Sequence, residues 1–411
     1  MNQLLLWVVL NMALTFISAT DSTSVTVNDT GHGAIAGSFV TFSNADTGNL
    51  GLNSKLNNEF SITSITDANS YVITLSENAD AALSSAGSAD AEYQLNVGIN
   101  TVVPGDGWGA GTWGADGWGS PSTETAGGGT LRLWSQDNFG EDLIFNQRDG
   151  FLFYWDKTLG VTERAKNFIE LSDAAPTKSR KVIVSERDRH VICFGANPIG
   201  QAVQDRLLVR FSSQENPFLW TPTATNTAGD LRIGSGSEIV TAVKTRREMI
   251  VLTDSSVHSM QFIGPPFTFG INQLASAITV RGFNSAVAVG DAVYWMGYDR
   301  FYIYDGRVQV IPCSVRDHVF QDFNETQSDK VYAGVNSAFG EVFWFYPSAT
   351  NSGANGGTDE NDRYVVYNYD QRIWYVGNLA RSSWVDRGVY QYPMATDSNL
   401  VYNHEKGNDN D

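Results

Sequence analysis

Between residues 131 and 156 the chain reads LRLWSQDNFGEDLIFNQRDGFLFYWD, and its apolar and polar positions fall into blocks. Residues 131–133 lead in, 138–140 carry turn chemistry, 143–145 are apolar, 149–150 form a tighter Asp-Gly turn, and 151–155 are apolar and aromatic. Short apolar runs bounded by Asn, Asp and Gly predict strands joined by tight turns. The block recurs in degenerate form at 182–194, 239–262, 287–304 and 331–369, the last interrupted by a Ser/Gly/Asn loop at 348–362. Copies centred about 45 to 60 residues apart, with three or four strands each, are the signature of β-propeller blades. An aromatic run ending in aspartate, FLFYWD at Asp156, FYIYDG at Asp305 and VVYNYD at Asp370, reads as their shared outer strand. Apolar residues at 315, 319, 320 and 323 have helical spacing and predict a short helix between blades. No closing strand is legible before residues 404–411, so the propeller is expected to be incomplete and the chain a fragment of a longer protein.

Upstream, residues 21–98 carry period-two patterns: Val25 and Val27, Phe39 to Phe42, Phe60 and Ile62, Tyr71 to Leu75, then Tyr93 to Val97. Such alternation, cut by Gly, Asn and Asp turns, predicts short antiparallel strands with one buried face, a small β-barrel. His32, flanked by glycines, reads as a turn residue and not as a ligand or base. Residues 1–20 begin with an apolar run lacking any Lys or Arg before it, and two readings stay open: a secretory signal, or a strand or two whose partners lie upstream of this chain. That run is too short for a membrane span. Residues 99–129 are a Gly/Trp-rich linker in which Trp108, Trp113 and Trp118 stand five apart. Glycine at this density precludes regular structure. The three indoles are candidates for a partner interface, with a stacking platform as the other use of such spacing.

The fold class is therefore all-β, a small antiparallel β-barrel ahead of propeller blades over 130–411. Composition agrees: 12% aromatics, 39 glycines and 42% hydrophobic residues in 411 suit many short strands around a substantial core. Lys+Arg of 27 against Asp+Glu of 45 gives a formal net charge of −18, which excludes a phosphate-gripping surface and so argues against stable nucleic-acid binding. Cys193 and Cys313 sit in apolar strand contexts and read as buried free thiols, a single tertiary disulfide being the alternative.

No catalytic constellation stands out. Acidic groups for glycoside hydrolysis would have to come from Asp137, Glu141 and Asp142 or from Asp359, Glu360 and Asp362, all in turn contexts where acids are commonplace. The five histidines, at 32, 190, 258, 318 and 404, are scattered without metal-ligand spacing, and no phosphate loop, dinucleotide fingerprint or nucleophile elbow occurs. Neither an enzyme nor a cofactor is expected.

Two resemblances add to this reading. SVTVNDTGHGAIAGSFVTFS with NNEFSITSITDANSYVITL resembles the small β-barrel first described in ubiquitin-activating enzymes, which recurs in phage tail and baseplate proteins and implies a spacer or decoration. WSQDNFGEDLIF, SERDRHVICFG, GPPFTFG and ENDRYVVYNYDQRIWY, together with LLVRFSSQENPFLWTPTATNTAGDLRIGSG and the Gly/Trp tract, resemble virion proteins of short-tailed phages, of the tail-nozzle or packaged-DNA stabilisation type. The resemblance implies a homo-oligomeric ring that meets other tail or portal-adaptor proteins, holds packaged DNA and conducts it at ejection without binding it specifically. It implies a virion location and no membrane. The rival expectation is a secreted carbohydrate-binding or glycan-cleaving propeller.

Overall fold

The computed structural model describes residues 14–30, 32, 34, 36, 38–67, 69–94, 101, 131–161, 163, 165–172, 174–185, 187–264, 267–350, 358–397 and 400–407. The chain divides into two compact units at residues 97 and 98.

The first unit is a seven-stranded, curled half-barrel sheet with every neighbouring pair antiparallel. Its inward residues are those that the alternation marks: Val25, Val27, Val40, Phe42, Ile62, Tyr71 and Ile73 pack with Leu52 and Leu56. Those two leucines come from a helix, Leu50–Leu56, where the sequence suggested only a loop; Asn49 caps it by accepting from Leu52 N. Thr15–Ser18 is a strand of this sheet, paired with Ser24–Asn28 and Leu83–Ala86, so its partners lie within this chain and not upstream of it. His32 lies in the connection between Ser24–Asn28 and Phe39–Asp46, where it is buried and packs edge-on to Tyr71. Its Nδ1 accepts from Ala34 N, which leaves Nε2 to donate to the Asp67 carbonyl. Nothing is described of residues 102–130, so the three-tryptophan tract lies outside the described residues.

The second unit is a β-propeller ring of six small sheets, five four-stranded and one three-stranded. From the inside outward, blade 1 is Trp134–Phe139, Asp142–Gln147, Leu152–Trp155 and Lys166–Asn167; blade 2 is Lys181–Val184, Val191–Phe194, Leu208–Phe211 and Gly229–Arg232. Blade 3 is Ile239–Lys244, Met249–Thr253, Ser256–Gly264 and Thr268–Ser276, and blade 4 is Ala286–Val289, Ala292–Met296, Phe301–Tyr304 and Val308–Ile311. Blade 5 is Tyr332–Asn336, Glu341–Tyr346, Arg363–Asn368 and Ile373–Asn378; blade 6 is Ser383–Val385, Met394–Asp397 and Leu400–Asn403.

Both faces of a central blade are buried against neighbours, so its strands are continuous apolar runs, and residue parity decides which neighbour each side chain meets. In Val191–Phe194, Val191 and Cys193 join the cluster shared with blade 1, while Ile192 and Phe194 join the cluster shared with blade 3. Met249 and Val251 face blade 2; Ile250 and Leu252 face blade 4. Val293 and Trp295 turn to blade 3, Tyr294 and Met296 to blade 5. In blade 5, Trp344 packs toward blade 4 and Phe345 toward blade 6.

Three expectations are corrected. The polar stretch WSQDNF is not a lead and turn but the innermost strand of blade 1; its polar side chains are retained because they bond to the next blade, Ser135 Oγ accepting from Val182 N at 2.9 Å. The aromatic runs ending at Asp156, Asp305 and Asp370 are third strands rather than outer ones, each covered by a further strand. The last segment is a sixth sheet, which the sequence did not reveal because its strands are only three or four residues long. The helix read from helical spacing forms over Arg316–Gln321. Cys193 and Cys313 are free thiols; Cys193 is fully buried as expected, but Cys313 only half-buried.

Blade 6 is seated by one close approach. A Cβ on Gly334 would lie 2.6 Å from Trp384 Cγ, and the Trp384 indole donates to the Val335 carbonyl at 2.7 Å. Gly334→Ala is expected to cost about 1–3 kcal/mol through overpacking and to make the chain after residue 380 the first site of limited proteolysis. A second prediction concerns pH. His190, buried among Phe211, Phe262 and Phe269 and bonded to Thr227 Oγ1 at 3.0 Å, has its pKa pushed down to about 4 by desolvation. The folded state thus disfavours the proton that the unfolded chain takes up near 6.5, and the stability is present above that pH and lost as pH falls toward 4. The stability of the protein minus that of His190→Gln should be constant above pH 7 and fall below 6.5, by at most about 1.4 kcal/mol per pH unit, in denaturant titrations.

Candidate functional site: the axis of the propeller

The innermost strand of each blade pairs on one side only, so alternate backbone N–H and C=O groups of the other edge face the axis. Side chains tie these strands together. Lys244 at the end of the blade 3 inner strand reaches Asp137 of blade 1 at 2.9 Å, and the same carboxylate accepts from Val184 N of blade 2 at 2.9 Å. One aspartate thereby joins three blades. Lys181 of blade 2 donates to Thr241 Oγ1 of blade 3 at 2.9 Å.

A second set of ion pairs is built from arginines in the connections. Arg148, after the second strand of blade 1, meets Asp329, ahead of blade 5, at 2.7 Å. Arg180 pairs with Glu238 at 2.8 Å, and Arg206 shares that carboxylate at 2.7 Å. Arg281 reaches Glu325 at 2.6 Å and stacks on Phe323, its guanidinium carbon 3.8 Å from the ring centroid. Arg148, Arg180 and Arg281 are almost wholly buried, which these partners make tolerable.

Two cavities lie among these groups. One, of about 270 Å3, is lined by Arg180, Glu238, Arg281, Tyr298 and Asp329. The other, of about 490 Å3, is bounded by Lys181 of blade 2 and by the inner-strand regions of blades 4, 5 and 6, through residues 286–290, 332–335 and Trp384, with Asp386 also on its wall. Burial pushes the Lys181 ammonium down to about 8, against a raising influence of Asp137.

The acids singled out in the sequence stand in ion pairs and hydrogen bonds of the fold. Asp137 is the three-blade tie. Glu141 is exposed and paired with Lys157 at 2.6 Å, and Asp142 accepts from Tyr154 Oη at 2.5 Å and from Lys157 N at 3.0 Å. In the later loop, Glu360 pairs with Lys330 at 2.6 Å, Asp362 accepts from Ser348 Oγ at 2.7 Å, and Asp359 offers Lys330 its carbonyl. Each holds a turn or a loop. His404 accepts from Arg381 Nε at 2.9 Å and His258 bonds Ser256 Oγ at 2.8 Å. Among the described residues no cluster of His, Cys, Asp and Glu could hold a metal ion. Sequence reasoning missed Lys181, Arg180 and Arg281; the one signal available was the basic pair in KSRKVIV directly ahead of an apolar inner strand.

The tie at Asp137 yields a coupling prediction. Asp137→Ala takes the carboxylate from the Lys244 ammonium, which keeps its bond to the Val184 carbonyl, and the acceptor from the Val184 amide, and should cost about 1–3 kcal/mol, whereas Lys244→Met on its own should cost less. The double variant should lose less than the two single losses together, a non-additivity read from urea midpoints.

No protein-family model matches the chain, and no curated protein does. Solved structures are similar to it in fold only. The extracellular domain of a one-component system from B. thetaiotaomicron aligns at 10% identity and TM-score 0.41 over 67% of this chain and 32% of its own, so this chain spans about a third of that protein. A computationally designed protein, Ika8, aligns at 9% identity and TM-score 0.38 over 65% of this chain and 69% of its own. Apo AztD from Citrobacter koseri aligns at 9% identity and TM-score 0.36 over 95% of this chain and 88% of its own.

Proposed function

We propose that this chain is a structural subunit of a phage tail, of the nozzle kind, in which the propeller is a rigid, non-catalytic platform and DNA passes between copies of the chain. The observation that supports it is the occupied axis of the propeller. Cross-blade ties at Asp137 and Arg148 span the axis, and the cavity of about 490 Å3 beside them is the size of a small-ligand pocket, too small for a duplex. A conduit for DNA therefore requires several subunits around a common hole.

The charge suits that arrangement. Within the propeller axis the cations Arg148, Arg180, Lys244 and Arg281 are neutralised by partner acids, so the excess that makes up the −18 lies on other surfaces, where it repels phosphates. An acidic wall lets DNA slide instead of trapping it. The candidate acids act as structural ties in blade 1 and in the loop before the third strand of blade 5, which favours a platform over a glycan-cleaving head. Among the described residues no helix is long and apolar enough to cross a membrane.

Native mass spectrometry with negative-stain imaging tests the proposal. Ring-shaped oligomers with a central hole are expected, and replacing Trp108, Trp113 and Trp118 together by Ser should dissociate them, since buried aromatic anchors carry most interface energy. A monomer at all concentrations that binds glycans would instead favour the secreted carbohydrate-binding reading.

A further inference from the structure

Among the described residues, the axial cations named above each have a carboxylate at ion-pair distance except one. Lys244 has Asp137, Arg148 has Asp329, Arg180 has Glu238 and Arg281 has Glu325. Lys181 has none among the described residues. Its Nζ donates to Thr241 Oγ1 at 2.9 Å and sits 4.9 Å from the centroid of the Phe283 ring. The nearby acid that acts on it, Asp137, is already held by Lys244 and by Val184 N. An ammonium has three donors, and one is used.

Lys181 is half-buried, and a cation drawn partly out of water without a counter-ion favours a ligand that neutralises it. Here it borders space. The cavity of about 490 Å3 that Lys181 lines is walled for the most part by the alanines, valines and glycines of 286–290 and 333–335, with Trp384, Tyr332 and the polar Asn284 and Ser337. Inner-strand backbone groups add donors along the axis. The opposing charge on the wall is Asp386 of blade 6, which accepts from Arg387 N at 2.8 Å.

We infer that this cavity binds a small organic carboxylate, its charge paired with Lys181 Nζ and its apolar body lying along the alanine and valine walls. The volume suits a short aliphatic acid or one aromatic ring. Asp386 on the wall and a single uncompensated ammonium disfavour a phosphate dianion, which calls for more donors. The inference does not depend on the tail-platform reading, since a carboxylate site can serve a propeller of either function.

Burial also makes the site pH-sensitive. The charged groups about Lys181 are Asp137, which raises its pKa and is itself bonded to Lys244, Arg180 beside it in the chain, and Asp386 on the cavity wall. A bound carboxylate favours the charged amine, so affinity should fall about tenfold for each pH unit above the free pKa near 8, with uptake of a proton on binding.

The experiment is isothermal titration of the full chain with butyrate and benzoate, against butyramide and benzamide, at pH 7 and pH 9 in buffers of different ionisation heat. Carboxylate binding at least tenfold tighter than that of the matched amide, abolished in Lys181→Met and accompanied by proton uptake at pH 9, is the expected result. Lys181→Met removes a half-buried charge that has no ion-pair partner and is expected to fold at least as stably. Should it not, NMR of the wild-type chain with its lysines dimethylated by 13C-formaldehyde provides a second reading, in which one resonance titrating near pH 8 shifts with benzoate and not with benzamide. Equal binding of acid and amide, no binding of either acid at 10 mM (a ceiling of about 2.7 kcal/mol), or a lysine spectrum unmoved by benzoate would overturn the inference.

Discussion

The second unit depends on one constraint: a propeller blade has two faces and both must be buried. A strand in such a sheet cannot alternate between core and solvent. It alternates between two cores, and the register of Val191–Phe194, Met249–Thr253 and Ala292–Met296 sends odd and even residues to opposite neighbours. A slip of one residue would exchange every one of those contacts. The polar groups excluded from these cores are concentrated where the inner strands converge, and there Asp137, Lys244, Arg148 and Asp329 hold blades 1, 3 and 5 to one another. Apolar packing fixes neighbouring blades pairwise. The ion pairs add links between blades that are not adjacent in sequence.

Much of this was legible. Continuous apolar runs such as VICF, MIVL and AVYWM can be read as buried strands from composition alone, and the Asp-Gly and Gly-Asp pairs mark hairpin turns. What could not be read were strands whose stability comes from outside the strand. WSQDNF has the composition of a turn; it is a strand because Val182, Val184 and Lys244 of other blades satisfy its polar side chains. Ser383–Val385 is too short to show a period and is recognisable only once Trp384 is seen against Gly334. Leu50–Leu56 carries a weak helical signal, seven residues with one glycine and three polar positions, and the Asn49 cap tips the balance.

The candidate site shows the same limit more sharply. The acids weighed for glycoside hydrolysis by residue type take part in ties and turns, Asp137 with Lys244 and Glu360 with Lys330, and local sequence cannot say whether a carboxylate already has partners. Lys181 carries the opposite lesson: it attracts no notice in the sequence, and gains meaning only from the missing counter-ion and the cavity beside it. The tail-platform reading rests on a different combination, the sequence resemblance together with a propeller axis closed to DNA. It places the conduit outside any one subunit and turns the acidic balance of the chain into a property of the assembled wall.

That claim is tested most directly by cryo-electron microscopy of the purified chain assembled with DNA present. The account predicts a ring of propellers around a shared hole, each propeller's own axis still bridged by Asp137–Lys244 and Arg148–Asp329, and DNA density confined to the hole. Density for a nucleic-acid strand within a propeller axis, or a particle population consisting of single propellers alone, would contradict it.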